Sequence, residues 1–173
     1  MNHISDGVGQ FAGVYDEPGR LKGRCVGHRT TIDAPPEMVW DFIADFEGWK
    51  AWNPLYGETS GSAQEGETLH FAVNLAGMKP QKGRAQVLAV RQNELLEYAI
   101  SNMFGIVKVL RFIEVEELSP TRCRVVNGEV MGGPAGKLVA RMLGEKVAQG
   151  LKGMNEALKK VAERKWQGQP SRA

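Results

Sequence analysis

A chain of 173 residues and 19.0 kDa fits one domain large enough to bury a core without metal or disulfide support. Its 42% hydrophobic and 24% charged residues exclude a disordered or fibrous protein. A formal charge of +2 from 22 basic and 20 acidic residues is too weak to argue for a nucleic-acid partner. Glycine stands out: 21 residues is about 12% of the chain, where ~7% is usual.

Residues 1–20, with Gly7, Gly9, Gly13, Pro18 and Gly19 and no periodicity, read as a flexible N-terminal arm. The β-branched run from Lys22 to Ile32 predicts the first strand. Asp33, Ala34, Pro35, Pro36 and Glu37 open a helix, whose apolar face is Val39, Trp40, Ile43 and Phe46. Gly48 ends it, and Trp49 and Trp52 predict a second short helix that stops at Asn53 and Pro54.

After Gly66 the period changes. Leu69, Phe71, Val73 and Leu75 alternate with polar or small residues, the pattern of a half-buried strand. Arg84 to Val90, Leu95 to Ser101, Val107 to Leu118 and Arg122 to Met131 complete a predicted antiparallel meander with no crossover helix. A long amphipathic helix follows Gly132, Gly133 and Pro134, with Val147, Leu151, Met154, Leu158 and Val161 on its apolar face. Asn155 falls among its polar positions. Leu138 and Met142 also fall on the polar side, so either another element covers them or they form an exposed apolar rim. Lys159, Lys160, Arg164 and Lys165 read as a solvated basic helix end.

This order predicts an α+β protein: a curved antiparallel sheet of about six or seven strands, two short helices after strand 1, and a long C-terminal helix gripped by the sheet. The domain is expected over 21–166, with 167–173 as a tail. The runs "TTIDAPPEMVWDFIADFEGWKAWNP", "ELLEYAI", "TRCRVVNGEV" and "GLKGMNEALKKVAE" resemble the START-like, Bet v1-like superfamily (SRPBCC), within it the branch labelled polyketide cyclase/dehydrase and lipid transport. The resemblance covers about Lys22 to Lys165. It implies a helix-grip fold with an apolar cavity between sheet and C-terminal helix, and it implies no particular reaction.

Polar residues on apolar strand faces are the candidates for chemistry. Arg111 shares its face with Val107, Val109, Ile113 and Val115, so it is expected to point inward. Folding the hairpin about Pro120 sets Arg111 opposite Glu129, or opposite Val130 in a turn one residue tighter. In the first register Asn127 is nearby, and the pair orients the polar end of an apolar ligand, such as a carboxylate or an enolising carbonyl; in the bland alternative it is a structural ion pair. Tyr98 shares an inward face with Leu96 and Ile100. Gly144 and Gly150 flank the apolar face of the last helix beside Val147, and the space at Gly150 is the expected location of the cavity. The expected lining is Phe71, Val73, Tyr98, Ile100, Arg111, Asn127, Glu129, Val147, Gly150, Leu151 and Met154.

His3, His28 and His70 are scattered, with His70 facing outward, and Cys25 and Cys123 make no CxxC or Cys/His cluster. No metal or cofactor is expected, and the cysteines read as reduced core thiols. Neither a P-loop nor GxSxG nor HExxH is present, so no catalytic residue is assignable. The leading expectation is a cytoplasmic carrier or sensor that binds a hydrophobic small molecule: a lipid, a fatty acid or a polycyclic, polyketide-like compound. The expected protein has no membrane span and no nucleic-acid partner. A cyclase or dehydratase using Arg111, Glu129 and Tyr98 is the first alternative. A protein-interaction or homodimerisation module through Leu138, Val139 and Met142 is the second.

Overall fold

The computed structural model describes residues 7–9, 21–102 and 106–168. Most of the predicted arm, and the tail beyond residue 168, lie outside the described residues. Strand β1 is the short segment Gly7–Gly9, and β2 spans Gly23–Ile32. Helix α1, Pro36–Ala44, starts with proline in its first turn, where a missing N–H costs nothing, and buries Val39, Trp40 and Ile43. A 3₁₀ turn at Glu47–Ala51 follows and buries Trp49. The Trp49 indole donates to the carbonyl oxygens of Phe42 and Ile43, both at 3.1 Å, and so satisfies groups left open at the end of α1.

The sheet continues with β3 (Tyr56–Ser60), β4 (Thr68–Val73), β5 (Gln81–Arg91), β6 (Leu95–Asn102), β7 (Val107–Ser119) and β8 (Arg122–Gly132). Among the described residues its eight strands lie in the order β1-β2-β8-β7-β6-β5-β4-β3, antiparallel throughout. Irregularities at 56/59, 87/89 and 117/119 shift the register, and extra residues of this kind bend and twist strands. Strand β3 was not anticipated: Gly57, Glu58, Thr59 and Ser60 carry little apolar alternation, and pairing with β4 holds them extended.

Helix α2, Gly136–Gln167, packs on β2 and β8 across the concave face. Its buried stripe is Ala140, Gly144, Val147, Ala148, Leu151, Met154, Asn155, Leu158 and Ala162. The stripe is rotated from the expected one: Val161 is only half-buried and Asn155 is fully buried. Nor is Lys159 merely solvated, since its ammonium donates to Thr31 O at 2.6 Å and lies 3.0 Å from Glu163. Both faces of β7 are used. Val107, Val109, Arg111, Ile113 and Val115 face α2, whereas Leu110 and Phe112 join Leu95 and Val130 in a second cluster on the convex face.

Candidate functional site

The hairpin takes the first of the two registers open to the sequence, with Arg111 opposite Glu129. Strand alternation then aims Arg111, Asn127 and Glu129 into the concave side. Arg111 is 1% exposed and sits 3.3 Å from Glu129 Oε2 through Nη1, while Nη2 donates to Asn127 Oδ1 at 3.0 Å. Its Nε is buried and has no hydrogen-bond partner. Two tyrosine rings flank the guanidinium, with centroids at 5.7 Å (Tyr56) and 5.9 Å (Tyr98), distances at which an aromatic face attracts a cation. The two hydroxyls meet each other at 3.2 Å.

The polar chain extends from Asn127 to the last helix. Asn127 Nδ2 donates to Asn155 Oδ1 at 3.3 Å, and Asn155 Nδ2 lies 3.1 Å from His28 Nδ1 and 3.0 Å from His28 O. Strands β2, β7 and β8 and helix α2 are thereby linked through side chains. The sequence reading missed Tyr56, Asn155 and His28. Tyr56 stands on the unexpected strand, and an asparagine among polar helix positions gives no local sign that amide partners await it across the interface.

Burial pushes the Glu129 carboxyl above its ordinary range against the pull of Arg111. The Tyr56 phenol also moves up, through desolvation first. For Arg111, burial works against the charge, but the tyrosine hydroxyls and Glu129 outweigh it and raise its pKa. The site therefore holds a permanent cation in a wall of low polarity.

A cavity of about 180 Å³ lies between the sheet and the N-terminal half of α2. Of the expected lining, Phe71, Val73, Ile100, Arg111, Glu129 and Val147 border it; Leu55, Tyr56, Leu75, Val107, Val109, Met131, Val139 and Leu143 complete its apolar wall. Gln81, Lys82 and Gly83, at the start of β5, stand where it approaches the surface. Tyr98 and Asn127 lie one layer behind, touching Tyr56 and Arg111. Gly150, Leu151 and Met154 are outside the lining. The space expected at Gly150 is filled by Leu55, whose Cδ1 lies 2.7 Å from where a Cβ on that glycine would stand. At Gly153, also in α2, a Cβ would meet Pro54 at an ordinary 3.6 Å, so packing does not require glycine there. Trp52 packs edge-on against Phe42 and Trp49.

A family model described as polyketide cyclase/dehydrase and lipid transport matches residues 24–163. The chain belongs to this family. No curated protein sequence matches it. Among solved structures, the family member is similar to the Zhui aromatase/cyclase from Streptomyces sp. R1128, at 19% identity and a TM-score of 0.69 over 82% of this chain and 94% of that one. A START superfamily protein from Mycobacterium smegmatis is 16% identical, with a TM-score of 0.65 over 81% and 97%. Norcoclaurine synthase from Thalictrum flavum, a point mutant with a transition-state analogue, is 12% identical, with a TM-score of 0.62 over 94% and 98%. These likenesses establish the helix-grip fold. No helix among the described residues is long and apolar enough to cross a membrane, and no group of three or more metal-binding side chains gathers among them.

Proposed function

We propose that this family member binds an apolar small molecule bearing one anionic or enolisable oxygen group, as a carrier or sensor. The observation that carries the reading is Arg111: a fully buried cation in the cavity wall, with its Nε still unpartnered. A buried donor without a partner is costly, and a carboxylate or polarised carbonyl entering the cavity would supply one while the aliphatic wall covers the rest. About 180 Å³ is below the roughly 300–1,000 Å³ of drug-sized sites. The cavity therefore suits a single ring or a stretch of acyl chain, with a longer ligand emerging past Gln81 and Lys82.

The test is binding of a fluorescent polyene fatty acid and of its methyl ester to the full chain. Arg111→Met is expected to weaken the acid at least about tenfold, the scale of one lost charge-assisted hydrogen bond, and to weaken the ester less, because its uncharged carbonyl makes the weaker hydrogen bond. Unchanged affinity for the acid in a folded variant sinks the reading. Arg111→Lys, which keeps the charge and loses the planar fork, serves if the methionine variant does not fold.

A second reading, a cyclase or dehydratase, is favoured by the presence of Glu129 in the same wall, since a carboxyl with a raised pKa is suited to proton transfer. Turnover of a polyketide-like substrate that vanishes in Glu129→Gln, with ligand affinity retained, would decide for it.

A further inference from the structure

Six large apolar side chains are exposed among the described residues: Met78, Leu88, Ile106, Leu118, Leu138 and Met142. Four of them gather around the cavity mouth. Met78 (39% exposed) lies in the turn between two lining residues, Leu75 and Gln81; Ile106 (44%) immediately precedes Val107; Leu138 (61%) and Met142 (67%) precede Val139 and Leu143 on α2. One backbone and one side-chain contact bring these segments together. Ala135 N donates to Ile106 O at 3.1 Å, and Lys146 Nζ lies 3.6 Å from where a Cβ on Gly77 would stand.

Charge is gathered on the same rim. The two longer segments, 75–83 and 135–147, carry Lys79, Lys82, Lys137, Arg141 and Lys146 against Glu145 alone. None of these five cations is ion-paired among the described residues. The whole chain carries only +2, so the positive charge is concentrated at this end. Water rewards neither exposed leucine nor exposed methionine, and a ring of cations around them matches a surface that is anionic outside and apolar beneath. A second copy is a poor match, because two-fold pairing would set the same cations against each other.

We propose that the cavity mouth is a docking surface for a bilayer containing anionic phospholipid. Leu138, Met142, Met78 and Ile106 enter the headgroup layer, and the five cations contact lipid phosphate and carboxylate groups. The proposal rests on the cavity reading, because it places the opening where an apolar ligand enters or leaves without crossing water.

The test is co-sedimentation of the full chain with vesicles of phosphatidylcholine alone and of phosphatidylcholine mixed with phosphatidylserine. Binding is expected to the mixed vesicles, to fall as salt is raised, and to weaken by about tenfold or more in both Leu138→Ser/Met142→Ser and Lys137→Glu/Arg141→Glu. All four positions are exposed, and thermal unfolding of each variant confirms its fold. Wild-type protein that ignores the mixed vesicles, or variants that bind them as well as wild type, overturns the proposal. So does a wild-type dimer in sedimentation velocity that Leu138→Ser/Met142→Ser dissociates. Uptake of the polyene fatty acid without vesicles is expected to be equal in wild type and both variants. If that uptake is absent while vesicle binding stands, the cavity reading fails and the docking surface remains.

Discussion

A guanidinium can only donate hydrogen bonds, and that property orders every amide between Arg111 and His28. Asn127 must turn its oxygen toward Arg111, so its nitrogen faces Asn155 Oδ1; Asn155 in turn presents its nitrogen to His28, whose Nδ1 accepts. Asn155→Leu leaves the Asn127 amide and the His28 carbonyl without that partner inside the core. Each buried hydrogen bond so lost costs about 1–3 kcal/mol, so a clear fall in stability is expected in urea denaturation, together with weaker binding of the fatty-acid probe. Stability unchanged from wild type would mean that water replaces the amide. Gly150→Ala tests the neighbouring wall. Its new Cβ meets the flexible end of Leu55 at 2.7 Å, and Leu55 can yield toward the cavity that it lines. The expected outcome is a folded protein with reduced probe capacity, measured by fluorescence titration.

Cys123 gives a pH prediction with a definite sign. Burial, with repulsion from Glu37 added, pushes its thiol from 9.0 to about 12. Between those values the unfolded chain has lost the proton and the native one keeps it, so stability is full below pH 9 and falls as pH rises toward 12. The slope is about 1.4 kcal/mol per pH unit for one such group. Urea midpoints measured across this range should fall less steeply in Cys123→Ala than in wild type. Parallel curves would remove the thiol from the account.

At the scale of elements, two phenylalanines lie over glycines of neighbouring strands, one on each face of the sheet. Phe71 on β4 covers Gly83 on β5, and Phe112 on β7 covers Gly128 on β8; a Cβ would stand 2.6 Å and 2.1 Å from the respective ring Cζ atoms. Part of the glycine surplus thus serves close ring-to-backbone packing. Gly83→Val is expected to drive the Phe71 ring into the cavity and to reduce probe uptake more than stability, as comparison of titration with thermal unfolding would show.

The same scale explains what sequence makes visible. Strands with a clean two-residue period, such as β4 and β7, can be read directly, and the turn at Pro120 narrows the partner of Arg111 to Glu129 or Val130, between which the structure selects Glu129. Strand β3 lacks that period and exists through its neighbour β4, so Tyr56 was hidden with it. Helical periodicity identified α2 but not its rotation, because Asn155 is drawn inward by partners on β2 and β8. The filling of the Gly150 gap by Leu55 is equally invisible, since Leu55 arrives from a connection whose path depends on the Asn53 side chain accepting from the N–H groups of Leu55 and Tyr56.

For the whole molecule, the decisive pairing is between strands far apart in the chain. Strand β2 finds its partner in β8, from Gly23 with Gly132 to Ile32 with Cys123, and α2 then packs on both. Every step before β8 is made leaves β2 without its long neighbour and the concave face uncovered. Non-local pairing of this kind slows folding to milliseconds or longer, and during synthesis it leaves an apolar half-shell waiting for β8 and α2. A chain ending at Thr121 should therefore fail to fold cooperatively, with a broad urea transition and exposed apolar surface that binds a hydrophobic dye, whereas the full chain gives one sharp transition. The helix that closes the cavity follows every strand it packs on, so cavity and fold are completed in the same event.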